Sequence, residues 1–266
     1  GYSSNCANLT RQYSAETIYP VCAVDVIGNL TLDQDLVNYT GGTYCSDNGL
    51  NFGANEATID CGGYSIKGLS GSYLGVNLYI TLMGDYNYTT LANCNISGFS
   101  RGVRTSIYDY YFHLINNTIW NNSVYGVDGV GPFALVENNF IFNNSNGGIS
   151  LGSDNVIITN NTLVGDLGIY SLSIVGGVNN LNVINNTFYE KAISFGGTST
   201  NSLIYGNNFI SNSSSIFGSL DEALSFNSSN QGNFYSFYDS PREGCYDSDN
   251  NLICDSEITF SGSVDY

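Results

Sequence analysis

Residues 116–127 read NNTIWNNSVYGV. Two asparagine pairs each lead into a hydroxyl residue, with a β-branched and aromatic piece between them. The pattern returns as NNFIFNNSNGGISL from Asn138, NNTLVGDLGIYSL from Asn160, NNTFYEKAISF from Asn185 and NNFISNSSSIF from Asn207. The Asn-Asn pairs at 116, 138, 160, 185 and 207 are spaced 22, 22, 25 and 22 residues apart. An imperfect earlier copy, NCNISGFSRGV, starts at Asn93. Self-similarity at such a period marks a solenoid.

Each unit holds three short alternating or β-branched pieces separated by Gly, Asn or Ser. The Leu lattice of leucine-rich repeats is missing. Helical repeats need longer apolar stretches of 3.6-residue period. Three strands of ~4 residues in a ~22-residue coil fit an all-β, single-stranded parallel β-helix. Each coil would rise by one strand spacing, ~4.8 Å, so roughly nine coils between residues 22 and 235 would make a rod ~40–45 Å long. The expected organisation is an extended arm over 1–21, the β-helix over 22–235, and an acidic turn with a terminal strand over 236–266.

Reading down the coils gives columns. Ile119, Ile141, Leu163, Phe188 and Ile210 are expected to fill one interior column. Val127, Ile149, Ile169 and Ile193 are expected to fill a second, with Val103 above them. Each of these follows Gly102, Gly126, Gly148, Gly168 or Ala192, where a tight bend leaves little room. If Ile119 faces inward, alternation turns Asn117 inward and Asn116 outward. Asn117, Asn139, Asn161, Asn186 and Asn208 are then expected to stack as an internal ladder, their amides satisfying one another.

The chain has 266 residues, 42% of them apolar, so a sizeable core is available. Two Lys and four Arg stand against 23 acids, giving a net charge of −17. Nucleic acid requires clustered cations, and none are present. No apolar run is long enough to span a bilayer. No signal peptide is visible, and Gly1 is read as a mature N-terminus after processing.

The seven cysteines are Cys6, Cys22, Cys45, Cys61, Cys94, Cys245 and Cys254. No CxxC pair suggests zinc, so disulfides in an oxidising, extracellular compartment are the better reading. Pairing of Cys245 with Cys254 would close the acidic turn, and pairing of Cys6 with Cys22 would tie the arm. An odd count leaves one thiol over.

Twelve positions match N-x-[S/T]: Asn8, Asn29, Asn38, Asn87, Asn95, Asn116, Asn121, Asn143, Asn160, Asn185, Asn212 and Asn227. They are candidate N-glycan acceptors. Asn116, Asn160 and Asn185 fall in one outward column, and Asn121, Asn143 and Asn212 in another.

TIDCGGYSIKG (58–68) resembles the opening coil of right-handed parallel β-helix proteins of the pectate-lyase-like superfamily. TTLANCNISGF (89–99) is similar to the copies that follow. GNFYSFYDSPREGCYDSDNNLICDSEITFSGSVDY (232–266) resembles the terminal segment of archaeal surface β-helix proteins and of nitrous-oxide-reductase maturation β-helix proteins. It has Phe-Tyr-Ser-Phe where those proteins tend to have aromatic-Trp-Ser-Asp. The resemblance implies a right-handed coil. It implies no single activity, because these families include lyases, hydrolases, maturation factors and surface proteins.

In DSDNNLICD, the residues Asp247, Asp249, Asn251 and Asp255 suit the first half of a structural calcium loop. A solvated acidic hairpin is the plainer alternative, since the glycine and glutamate of a full calcium loop are missing. His113 is the only histidine and lies in an aromatic strand. Asp128, Asp154 and Asp166 fall at different offsets, so no carboxylate pair repeats down one face. Asp128 is expected to align with Ser150, Tyr170 and Ser194, and Arg104 to stack on it as an ion pair. Arg101 and Arg104 are the only closely paired cations. Most of the 21 Tyr and 14 Phe read as strand formers.

The sequence therefore favours a secreted, N-glycosylated structural protein that assembles with itself into a surface layer or extracellular filament, archaeal by resemblance. An arm at one end and an open strand edge at the other would suit strand addition between copies. The alternative is a carbohydrate-active or polysaccharide-binding β-helix. That reading requires Asp128, Arg101, Arg104 or Asp154 to meet in one groove.

Overall fold

The computed structural model describes residues 22–36, 44–69, 71–78, 86–165, 170–210, 216–218, 224–225, 232–236, 258–260 and 263–265. The expected arm over 1–21 and the acidic turn with Asp247, Asp249, Asn251 and Asp255 lie outside these residues, as do Cys6, Cys245 and Cys254.

One turn shows how the repeat folds. His113–Ile115 forms a strand of the second sheet, Thr118–Trp120 a strand of the third, and Tyr125–Val130 a strand of the first. Each then pairs in parallel with its counterpart one repeat on, at Leu135–Glu137, Phe140–Phe142 and Gly147–Leu151. Propagated along the chain, this builds a parallel β-solenoid of two nine-stranded sheets and one eight-stranded sheet. Roughly nine coils were expected, and the third sheet is one strand short because the first strand found in it is Ser65–Lys67. A separate antiparallel pair joins Ile258–Phe260 to Ser263–Asp265.

In the second and third sheets the middle residue of each three-residue strand points inward, whereas in the first sheet the flanking residues do, as in Leu172–Ile174 and Ile193–Phe195. In the third sheet Ile96, Ile119, Ile141, Leu163, Phe188 and Phe209 stack in one buried column. The Phe188 and Phe209 rings lie 5.3 Å apart, nearly parallel, and Tyr235 adds a third at 4.9 Å. Each fully buried aliphatic or aromatic side chain contributes about 1.5–3 kcal/mol by leaving water.

The first sheet meets the core through a row of small residues. A Cβ added to Gly75 would stand 2.3 Å from the Gly102 carbonyl oxygen. On Gly102 it would stand 2.5 Å from a methyl group of Ile119. The strand backbone therefore lies against the facing core with no room for a side chain.

Two column assignments need correction. After Ile149 the next residue in register is Leu172, preceded by Ser171, and not Ile169 preceded by Gly168. Leu172 follows Ile149 by 23 residues, one more than the 22-residue period, whereas Ile169 follows it by only 20. The other two extra residues of the 25-residue spacing between Asn160 and Asn185 fall after Leu172. Likewise Phe209 fills the core, while Ile210 is 37% exposed. Gly206 takes the left-handed corner (φ 65°) that Asn116, Asn138, Asn160 and Asn185 take in the other turns. The last asparagine pair is therefore displaced by one place.

Among the described residues the disulfides are Cys22–Cys45 and Cys61–Cys94, with Cα–Cα distances of 5.6 and 4.7 Å. A Cys6–Cys22 tie is excluded, because Cys22 is already joined to Cys45 one turn on. Cys61 and Cys94 likewise belong to successive turns, so each bond staples neighbouring rungs.

Candidate functional site

The inner asparagines form a continuous hydrogen-bonded ladder. The Asn117 carboxamide donates to Asn139 Oδ1 at 3.0 Å, Asn139 to Asn161 at 2.9 Å, Asn161 to Asn186 at 2.9 Å and Asn186 to Asn207 at 3.1 Å. The ladder continues from Asn207 to Asn233 at 2.9 Å. Asn207 takes the place expected for Asn208, which is exposed on its strand. At the other end Cys94 stands in the ladder position, and its N–H donates to Asn117 Oδ1. A second, shorter ladder joins Asn122 to Asn144 at 2.9 Å. These amides are buried and serve the fold.

The outer face of the first sheet is different. Asp25, Asn51, Asn77, Arg104, Asp128, Ser150, Ser173 and Ser194 succeed one another in register. Ser173, 23 residues after Ser150, holds the place expected for Tyr170. Along this row the Asn51 carboxamide donates to Asp25 at 3.0 Å, and Asn77 to Asn51 at 3.4 Å. Arg101 Nε forms an ion pair and hydrogen bond with Asp128. Arg104, the expected partner, is instead the in-register neighbour of Asp128. Lys191 reaches over the Tyr170 ring, 5.7 Å from its centroid.

Four cations lie among the described residues, and three of them (Arg101, Arg104 and Lys191) belong to this side of the rod. The fourth, Lys67, is on the third sheet within 3.7 Å of Asp35. The sheet thus gathers Arg101, Arg104 and Asp128. Asp154 is elsewhere, in the turn towards the second sheet, where it accepts from the Asn179 N–H at 2.8 Å. Asp166 lies outside the described residues. His113 is half-buried on the outer face of the second sheet, between Thr90 and Leu135.

Asn77 and Ser150 are buried, and the accessible members of the row, Asp25, Asn51, Arg104, Asp128, Ser173 and Ser194, are suited to hydrogen bonding along an extended ligand. The row is poorly suited to glycoside hydrolysis, which needs two carboxyl groups within about 5–10 Å of each other. Asp25 and Asp128 are four rungs apart, about 19 Å at the usual strand spacing. Among the described residues, no group of three or more His, Cys, Asp or Glu side chains could hold a metal ion.

An exposed aromatic stack runs along the corner between the first and second sheets. Tyr88 and Tyr111 lie 4.6 Å apart, and Tyr111 and Phe133 lie 5.0 Å apart. All three have φ 59°, in the left-handed region that is unusual for bulky residues. Their faces cover one another, so the interior of the stack offers only ring edges to a sugar. Tyr88, Tyr111 and Phe133 are 23 and 22 residues apart, each two residues before a strand of the second sheet, so the repeat period itself could have found this stack.

No family model matches the chain, and no curated protein matches it. Among solved structures it is similar to the Dettilon tailspike protein (gp208), with 13% identity and a TM-score of 0.42. The match covers 80% of this chain and 60% of that one, so the chain spans less than two thirds of the tailspike's length. That likeness assigns no activity to this protein. Among the described residues no helix is long and apolar enough to cross a membrane.

Proposed function

We propose that this protein is an extracellular polysaccharide-binding β-helix that holds an extended sugar chain along the outer face of its first sheet. The observation that carries the reading is the in-register polar row, with Arg101, Arg104 and Asp128 brought onto one face. Hydroxyl-rich ligands need such a line of donors and acceptors, and guanidinium groups add the stronger charge-assisted bonds. The two disulfides agree with an oxidising compartment. Binding without cleavage is the expected behaviour, given the separation of the carboxylates.

Affinity electrophoresis against neutral and acidic polysaccharides tests this. At least one should retard the protein. Arg104→Ala should weaken that retardation about tenfold, the loss of one charge-assisted hydrogen bond of ~1.5 kcal/mol. Retardation by none of them, or equal retardation of a folded Arg104→Ala protein, would remove the proposal.

A second reading is a glycosylated structural subunit of a surface layer or filament. Exposed sequons at the corners of the rod favour it, together with the resemblance of residues 232–266 to archaeal surface β-helix proteins. Electron microscopy of material released from cells decides between the two. Ordered arrays or filaments support the structural role, and a strictly monomeric particle at high concentration removes it.

A further inference from the structure

The outer face of the third sheet carries Trp120, Phe140, Phe142, Val164, Tyr189 and Ile210. Phe140, Tyr189 and Ile210 are 41%, 38% and 37% exposed. Trp120 stacks on Phe142 with ring planes 5° apart. Among the described strands of this sheet there is no acidic residue. An apolar face of this kind on a chain of net charge −17 calls for a cover.

Asparagines border the face on both sides. Asn116, Asn160 and Asn185 stand at the corner where the second sheet passes into the third. Asn121 and Asn143 stand where the third passes into the first. All five are exposed, with φ between 53° and 56°. Each opens an N-x-[S/T] motif whose middle residue is a buried ladder asparagine, so the acceptor is turned outward by construction. No hydrogen bond engages their carboxamides. The hydroxyl residues Ser123 and Ser145 are exposed, Ser123 Oγ donating to the Gly71 carbonyl at 2.8 Å, and Thr118, Thr162 and Thr187 are half-buried.

Two other sequons are built differently. Asn87 Oδ1 accepts the Tyr110 N–H at 2.8 Å, and its Thr89 is 0% exposed. Asn95 Oδ1 accepts the Trp120 indole N–H at 2.8 Å, and its Ser97 is 6% exposed. Neither offers the folded protein an unengaged carboxamide together with an accessible hydroxyl residue.

The structure assigns N-linked glycans to the five corner asparagines and makes those sugars the cover of the third sheet. The donor class is a polyprenyl-pyrophosphate-linked oligosaccharide. The asparagine Nδ2 forms a bond to the sugar's anomeric carbon, the bond from that carbon to phosphate oxygen breaks, and the nitrogen loses one proton as the polyprenyl pyrophosphate leaves. Trp120 directly precedes Asn121, and Phe142 directly precedes Asn143. The first sugar at each site therefore starts beside the stacked pair, where the apolar face of its ring lies against an aromatic side chain. This inference is independent of polysaccharide binding, because it concerns another face and a covalent group.

The experiment is site mapping by mass spectrometry on protein purified from the organism that encodes it, followed by fluorescence. Occupancy is expected at Asn116, Asn121, Asn143, Asn160 and Asn185, with Asn87 and Asn95 bare. Trp120 is the only tryptophan in the chain, so its emission reports on the cover directly. In the double variant Ser123→Ala/Ser145→Ala, which removes two sequons while keeping both corner asparagines, acrylamide quenching of Trp120 should rise about twofold, as a bulky surface group is lost. Bare corner asparagines in the native protein, or Asn87 and Asn95 occupied as fully as the corners, would overturn the assignment. Unchanged quenching in the folded double variant would overturn the covering role.

Discussion

Asn160 and Asn161 are adjacent and alike, yet the fold gives them opposite tasks. Asn161 accepts from the Asn139 backbone N–H at 2.8 Å and from the Asn139 carboxamide at 2.9 Å. It donates to Val136 O, Thr159 O and Asn186 Oδ1 at 2.9 Å each. Asn161→Ala leaves two or three buried groups unpaired, at about 1–3 kcal/mol each, so a loss of about 3–5 kcal/mol is expected. Asn160 supplies a left-handed corner that glycine occupies without strain, so Asn160→Gly should change stability by no more than about 0.5 kcal/mol. Chemical denaturation of the two variants measures the contrast, and equal losses would contradict the division of labour. The doubling was legible in the sequence. The displaced pair at 207 and 208 was not, because the decisive residue is Gly206, which substitutes for asparagine at the corner while looking like an ordinary spacer.

At the scale of the strand, the close approach of the first sheet to the core sets the tolerance to substitution. Gly75→Ala places a methyl group against the Gly102 carbonyl, which cannot rotate away as a flexible side chain could. A loss of about 1–3 kcal/mol is expected from such overpacking. Gly28, whose added Cβ would meet nothing within 4 Å, is the control. Calorimetry on Gly75→Ala and Gly28→Ala should separate them clearly, and similar melting temperatures would refute the packing argument. The glycine column was readable because Gly102, Gly126 and Gly148 each precede a β-branched residue at intervals of 24 and 22 residues. It was misread after Gly148, because the next place, 23 residues on, is held by Ser171 while Gly168, 20 residues on, offers the same Gly-Ile pair.

For the whole molecule, each coil touches only its neighbours, so stability is distributed along the axis. Cys22–Cys45 and Cys61–Cys94 close separations of 23 and 33 residues, all at the N-terminal end. Loops of this size are worth about 3–4 kcal/mol each in the chain-entropy account. Reduction under native conditions should therefore speed amide exchange in residues 44–69 and leave residues 113–164 protected. Uniform acceleration along the chain would show that the rod unfolds as one unit. Downstream, the asparagine ladder takes over the rung-to-rung connection that the disulfides make here, and Cys94 is the residue where one gives way to the other.

The sequence by itself determined the parallel β-solenoid, the inward and outward asparagines of the regular turns, and the use of cysteines in disulfides. These follow from period and alternation, which are local properties of the chain. The tertiary structure alone decided that Cys22 pairs with Cys45 and Cys61 with Cys94, that Arg101 binds Asp128, and that Ser171 and Leu172 take the places after Gly148 and Ile149. Those outcomes depend on the register between coils. Register is the sum of every turn length before it, so a single long turn or one glycine at a corner changes which residues meet.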